Sequence, residues 1–227
     1  MNYICTHKDF NEVVNKGDYT ILTTSELSNN YSFPVIIVDN DLEPLKYSYC
    51  EGYMIKDIYI NQLYQNPNTE WIGINHYRRY LPLPTNETTL PIPINTNMHY
   101  NYAACHNIND LLKVEEIIDK YYHEYSTDYK NINVIFPANM FIMKRSDFKM
   151  YYNFVFGVLK NFSQQNNLYT DEDVRKYVDK NRKDYNIEFD LNYQSRLHGF
   201  LMERLTTIFI LKHFANKEII LKPIIQI

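Results

Sequence analysis

The sequence predicts an α/β fold, a single mixed-sheet domain with flanking helices. Short β-branched and aromatic runs, Tyr3 to Thr6, Tyr19 to Thr23 and Val35 to Val38, are bounded by Asn, Asp, Gly and Pro, as strands are. Segments of helical period are interleaved with such runs, and strands alternating with helices bury their faces as layers around one sheet. Across 227 residues no internal repeat and no break in composition occurs, so residues 1–227 read as one domain.

The elements follow in order. From Lys46 to Tyr64 the spacing is helical, with Tyr49, Tyr53, Ile60 and Tyr64 near one face, and Asn66-Pro67-Asn68 ends the helix. Trp71 to Ile74 is an apolar run suited to a buried strand. His76-Tyr77-Arg78-Arg79-Tyr80 follows directly, at the carboxyl end of that strand, where open α/β sheets bind ligands. Pro82, Pro84, Pro91 and Pro93 make residues 82–97 an irregular surface loop, long enough for a lid or an acceptor-binding segment. A helix is expected from Asn109, as N-cap, to Tyr122, with Leu111, Val114, Ile118 and Tyr121 on one stripe. Val134 to Phe136 and Asn139 to Lys144 read as strands separated by Pro137. Ser146 caps a helix running through Tyr151, Phe154, Val158 and Leu159. Residues 163–190 are rich in Asn, Asp and Lys with weak periodicity, the pattern of a mobile or inserted segment. In a last helix, roughly Leu191 to Phe214, Leu197, Leu201, Leu205 and Ile208 form an apolar stripe, while Arg196, Gly199, Glu203 and Thr207 lie on another. Glycine inside a helix costs roughly 0.5–1 kcal/mol, so Gly199 marks a close approach. Glu218 to Ile227 is a final strand that closes the sheet or covers its edge.

Composition excludes several classes. With 23 Lys+Arg against 27 Asp+Glu the net charge is -4, so no global field draws the chain to nucleic acid or to an anionic membrane. The 22 Tyr are not interleaved with a basic stripe, which also argues against a nucleic-acid partner. An anionic ligand must be held by a local cluster. Cys5, Cys50 and Cys105 are odd in number and lack CxxC spacing, so neither a disulfide framework nor a cysteine zinc site is expected. The first residues lack a signal-peptide pattern and no apolar run reaches membrane-span length, giving a cytoplasmic reading. P-loop, GxGxxG, GxSxG and kinase patterns are missing. Asp-x-Asp occurs only at Asp39-Asn40-Asp41, after the run Pro34 to Val38, and at Asp171-Glu172-Asp173; the first is a weak metal candidate. His99, His106 and His123 fit no metal spacing and read as hydrogen-bonded structural residues.

Three constellations carry chemistry. In His76 to Tyr80, two arginines offer fork-shaped donors to phosphate or carboxylate, and the tyrosines can stack a sugar or base; the alternative is one solvated arginine and one structural ion pair. Arg196 and Glu203 share a helix face, where the carboxylate could act as a general base if the helix lines a cleft, or be an ordinary solvated face. In Tyr49-Cys50-Glu51, Cys50 as a nucleophile would need a low thiolate pKa and a paired base, neither of which the sequence shows, so it reads as a small buried packing residue.

Taken in order, Thr6-His7-Lys8, Tyr49-Cys50-Glu51, Trp71 to Tyr80, His106 with Asp110-Leu111, Asn139-Met140-Phe141-Ile142-Met143-Lys144 and Gly199 to Leu205 resemble an uncharacterised-domain family of capsular and exopolysaccharide biosynthesis loci, generally regarded as glycosyltransferases. The resemblance implies a GT-A-like, Rossmann-like domain. It implies a nucleotide-sugar donor, a UDP-sugar first, and a glycan or lipid-linked acceptor. It places Thr6, His7, Lys8, Tyr77, Arg79, Arg196 and Arg204 at the donor and Asn139 at the transferred sugar. Glu203 would be the base, with Arg78 and His76 beside it as catalytic groups; Tyr49, Glu51, His106 and Asp110 would be acceptor-side or structural. Related folds end the equivalent strand in a metal-binding Asp-x-Asp; here it ends in His76-Tyr77-Arg78, so cationic groups are expected to replace Mn or Mg, and metal dependence stays open. A peripheral membrane association also stays open. The rival is a non-catalytic glycan- or partner-binding module that retains the fold.

Overall fold

The structure is a computed structural model that describes residues 1–6, 19–23, 34–38, 43–76, 79–81, 86–185 and 189–226. In chain order these form β1 (Asn2–Cys5), β2 (Tyr19–Thr23), β3 (Val35–Ile37), α1 (Lys46–Tyr49), α2 (Gly52–Asp57), α3 (Leu63–Gln65), β4 (Trp71–His76), β5 (Arg79–Tyr80), β6 (Thr89–Pro91) and β7 (Ile94–Asn95). There follow α4 (Met98–Cys105), α5 (Ile108–Tyr121), β8 (Val134–Ile135), β9 (Phe141–Lys144), α6 (Arg145–Asn166), α7 (Asp171–Lys180), α8 (Leu191–Gln194), α9 (Leu197–His213), β10 (Ile220–Lys222) and β11 (Ile225–Gln226).

The fold is mixed α/β, as the strand and helix pattern predicts. The main path of the sheet runs β10, β6, β9, β4, β1, β2, β3, with β5 joined to β4 and β11, while β7 and β8 pair separately. β1, β2, β3 and β4 are mutually parallel and β9 runs antiparallel to β4. In β4 the alternation sends Ile72 and Ile74 into the main core against Phe141, Phe148, Tyr151 and Phe209. Trp71 packs on the other side with Leu81, Met140 and Ile142. Helix α9 is buried over most of its circumference, which makes it the pillar against which α1, α6 and the residues before β9 stack. Among the described residues no helix is long and apolar enough to cross a membrane.

Several local expectations are corrected. The helix expected from Lys46 breaks at Cys50, whose φ of 52° ends α1, and between α2 and α3 a π-helical turn, Ile58–Gln62, takes in extra residues. That rotation buries Tyr49 and Tyr53 but leaves Ile60 and Tyr64 exposed. The loop read into residues 82–97 supplies β6 to the main sheet, between β9 and β10. Asn107, one residue before α5, is its N-cap and accepts from the Asn109 N–H, and Tyr121 is exposed. Ser146 caps nothing; α6 starts at Arg145 without a side-chain cap and runs to Asn166. The described part of residues 163–190 is largely helical, because Thr170 and Asp173 form a reciprocal capping box and Val174 and Val178 anchor α7 in the core. The last helix is two helices, parted at Ser195 and Arg196, where the Ser195 hydroxyl donates back to the Leu191 carbonyl. The single terminal strand read over 218–227 is two: β10 pairs with β6 at the end of the main path, and β11 pairs with β5.

Candidate active site

Parallel pairing places Cys5 opposite His76, so β1 and β4 end together at one edge of the sheet. Past that edge lies a cavity of about 360 Å³. Its walls are Cys50 and Glu51 after α1, His76 and Arg79 from β4 and β5, Asn101, Cys105 and His106 from the end of α4, Ala138 and Asn139 before β9, Tyr193 of α8, and Arg196, Gly199, Phe200, Glu203 and Arg204 of α9 and its cap.

The predicted second stripe of the last helix is the one facing this cavity. Residues 196, 199, 200, 203 and 204 fall within about 140° of one another at ~100° per residue, beside the Leu197, Leu201 and Leu205 stripe and not overlapping it. Gly199 meets the close approach inferred for it: a Cβ there would lie 3.2 Å from Cys50 Sγ and 3.3 Å from the Tyr49 carbonyl oxygen.

Glu203 is held at both carboxylate oxygens. The Ala138 N–H donates to Oε1 at 2.7 Å, and Arg204 Nη1 donates to Oε2. Arg204 Nη2 donates to Asn101 Oδ1 at 2.6 Å, and its guanidinium sits 5.5 Å from the Tyr102 ring centroid. The buried Arg204 Nε has no hydrogen-bond partner among the described residues, an unmet donor of the kind that calls for an explanation. Arg196 Nε donates to Cys50 Sγ at 2.8 Å while its guanidinium lies 5.6 Å from the Phe200 ring centroid. Glu51 and His76 approach within 3.4 Å. Burial, reinforced by the Glu51 charge and opposed by Arg196, pushes the Cys50 thiol up to about 12, so Cys50 is a neutral packing group.

Asn139 is anchored from behind. Thr206 Oγ1 donates to Asn139 Oδ1 at 2.8 Å, and the Phe136 N–H donates to Thr207 Oγ1 at 3.0 Å. His106 stacks on Phe200 with centroids 3.9 Å apart, and burial lowers its pKa to about 4 against an opposing hydrogen bond to Gln194.

Of the residues singled out in the sequence, Glu51, His76, Arg79, His106, Asn139, Arg196, Glu203 and Arg204 therefore meet in one cavity. Thr6, Tyr49 and Asp110 are buried away from its described lining. Tyr49 stacks on His198 with centroids 4.7 Å apart, and Asp110 accepts from the Tyr177 hydroxyl at 2.5 Å. His7, Lys8, Tyr77, Arg78, Asp39 and Asp41 lie outside the described residues. The second Asp-x-Asp triplet is structural: Asp171 accepts the N–H groups of Tyr47 and Ser48, and Asp173 closes the α7 cap. Among the described residues no group of three His, Cys, Asp or Glu is placed to hold a metal. Sequence reading missed Asn101, Cys105, Tyr193 and Phe200. Phe200 was recoverable, being four residues after Arg196 and three before Glu203, whereas Asn101 needed α4, which no periodicity announced.

A family model described as a domain of unknown function, DUF4422, matches residues 83–179. That match includes the α4 and Asn139 walls of the cavity and stops before α9. None of the curated proteins compared matches the chain. Among solved structures, the apo form of WbbM, a bifunctional glycosyltransferase, superposes with a TM-score of 0.69 at 18% identity, over 98% of this chain and 44% of that one. The fold is thus that of part of a glycosyltransferase structure, and the chain spans less than half of that protein's length.

Proposed function

We propose that this cavity transfers a sugar from a nucleotide-sugar, a UDP-sugar first, to a glycan or lipid-linked acceptor, on a fold of GT-A type and in the cytoplasm. The observation that carries the reading is the convergence of Arg79, Arg196 and Arg204 on one cavity at the carboxyl edge of β4, in a fold shared with a glycosyltransferase. Three guanidiniums against the carboxylates Glu51 and Glu203 leave the walls net positive, which suits a diphosphate. A divalent cation fits this donor set poorly, because Glu203 already answers Arg204 and Glu51 already faces His76. The leaving diphosphate gains negative charge as the glycosidic bond to it breaks, and arginine N–H groups fixed beforehand by Cys50 and Asn101 would stabilise that charge without rearranging. Each Glu203 oxygen keeps a second lone pair, one of which would take the acceptor hydroxyl proton as the new bond to the anomeric carbon forms.

The double anchoring of Glu203 also favours a second reading, a non-catalytic glycan-binding module in which Glu203 is a structural clasp. A thermal-shift panel of UDP-, GDP- and dTDP-sugars, with and without chelator, followed by mass spectrometry of products, separates the two. A ligand at 100 times its dissociation constant stabilises by ~2.7 kcal/mol. Binding with product formation supports transfer, glycan binding without turnover supports the module, and no nucleotide-dependent shift rejects the proposed reaction.

A further inference from the structure

The cavity wall also carries a hydrogen-bond acceptor, His106, whose tautomer is dictated by its neighbours. Gln194 Nε2 donates to the Cys105 carbonyl at 2.9 Å, which turns Gln194 Oε1 toward His106 Nδ1, also 2.9 Å away. An amide oxygen only accepts, so Nδ1 carries the imidazole proton and Nε2 carries the lone pair. No described residue partners Nε2, although every other feature of the ring is fixed: Phe200 stacks on it at 3.9 Å, with Tyr102 at 4.9 Å and Tyr193 at 5.9 Å.

We infer that His106 is a specificity residue of this site, its Nε2 accepting a hydrogen bond from a hydroxyl of a sugar ring. The inference rests on the reading of the cavity as a sugar-nucleotide site. An anion is excluded at Nε2 because a bare lone pair repels it. A metal is disfavoured because Arg196 and Arg204 line the same cavity and no three metal-ligating groups assemble among the described residues. A neutral hydrogen-bond donor remains, and a sugar presents several as hydroxyls. Burial holding the imidazole pKa to about 4 keeps the acceptor available throughout the neutral range, where a solvated histidine would be partly protonated. A site built to pair a hydroxyl also rejects analogues lacking it, since the buried acceptor is then left unmet.

The test is a matched set of ligands and variants. UDP-, GDP- and dTDP-hexoses, their monodeoxy and deoxyfluoro analogues, and the free nucleoside diphosphates are titrated calorimetrically against wild type, His106→Phe and His106→Gln. His106→Phe keeps a ring against Phe200 and removes the acceptor; His106→Gln returns a carbonyl near Nε2. The expected result is that the cognate sugar nucleotide binds His106→Phe about tenfold more weakly, with free nucleoside diphosphate unchanged and partial recovery in His106→Gln. One deoxy analogue should bind wild type and His106→Phe equally. If that equality appears only with deoxy acceptors, in acceptor KM rather than donor affinity, the hydroxyl belongs to the acceptor and the inference stands. Equal binding of the full sugar nucleotide together with an unchanged acceptor KM in His106→Phe overturns the inference alone, as does an equal loss for the free nucleotide. Failure of wild type to bind any sugar nucleotide overturns the underlying reading as well. Thermal unfolding of each variant guards against loss of fold.

Discussion

The Ala138 N–H donates to Glu203 Oε1 at 2.7 Å, tying the turn before β9 to the cavity face of α9 across 65 positions of sequence. The turn needs that tie. Ala138 and Asn139 have φ of 60° and 52°, left-handed conformations that cost non-glycine residues of order 1–3 kcal/mol each unless the surroundings impose them. Glu203, Thr206 and Thr207 impose them by bonding to Ala138, Asn139 and Phe136 from three positions of one helix. The same carboxylate thus shapes the cavity wall and faces the cavity.

Glu203→Gln should therefore have two effects. The amide can still accept from Ala138, but its NH₂ group meets Arg204 Nη1 donor to donor, leaving a nearly buried guanidinium without its counter-charge. A stability loss of about 1–3 kcal/mol is expected in urea unfolding. If Glu203 is also the base, transfer is abolished while sugar-nucleotide affinity stays within a few-fold. Normal turnover in a variant that shows the stability loss would reduce Glu203 to a clasp.

Arg196→Lys tests the arginine side. Lysine keeps the charge but loses the fork and the planar stacking, and Arg196 uses both, through Nε to Cys50 and through its face to Phe200 and Tyr193. Sugar-nucleotide affinity should fall about tenfold, near 1.4 kcal/mol, by calorimetry. An affinity equal to wild type would mean that only net charge matters there.

Gly199→Val should cost about 2–3 kcal/mol in thermal unfolding. Helix propensity favours valine over glycine by less than ~1 kcal/mol, but the added atoms meet the Tyr49 carbonyl and Cys50, which sit in a backbone turn that cannot swing aside as a side chain would. A variant as stable as wild type would show that this turn yields.

What the sequence reveals and what it hides separate along a physical line. β1, β4, the apolar stripe of α9 and its cavity stripe are local patterns, and each is legible because one run of residues decides it. β6 escapes because its pairing partner β10 lies some 130 positions away and Pro91 advertises a loop. α7 escapes because only Val174 and Val178 reach the core, although its capping box, Thr170 with Asp173, is written in the sequence. In the site, Arg196, Gly199 and Glu203 follow from helical spacing. The anchoring of Glu203 by a main-chain N–H leaves no trace in residue identity, and neither does the stacking of His106 on Phe200.

Two opposing contributions to the stability profile below neutral pH should be separable by variant. His106 and His198 are buried neutral, His198 between the Ser48 and Ser163 hydroxyls at 2.7 Å each, and burial lowers their pKa values to about 4 and about 3. Unfolded, each titrates near 6.5, so their stabilising contribution is complete above that pH. It falls as the pH drops through the folded values, by up to ~1.4 kcal/mol per unit per group. Asp110 runs the other way. Burial, against the Tyr177 hydrogen bond and the Lys113 charge, raises its pKa from 3.8 to about 6. Its contribution is therefore complete below pH 3.8, declines between 3.8 and about 6, and stays low above. Asp110→Asn cannot ionise, so relative to wild type it should gain about 2–3 kcal/mol on going from pH 4 to pH 7, on top of any pH-independent cost. Urea unfolding of both proteins at half-unit intervals from pH 4 to pH 8 measures this. A difference that does not change with pH would place the Asp110 proton equilibrium outside this range and remove Asp110 as the source of the decline between pH 3.8 and about 6.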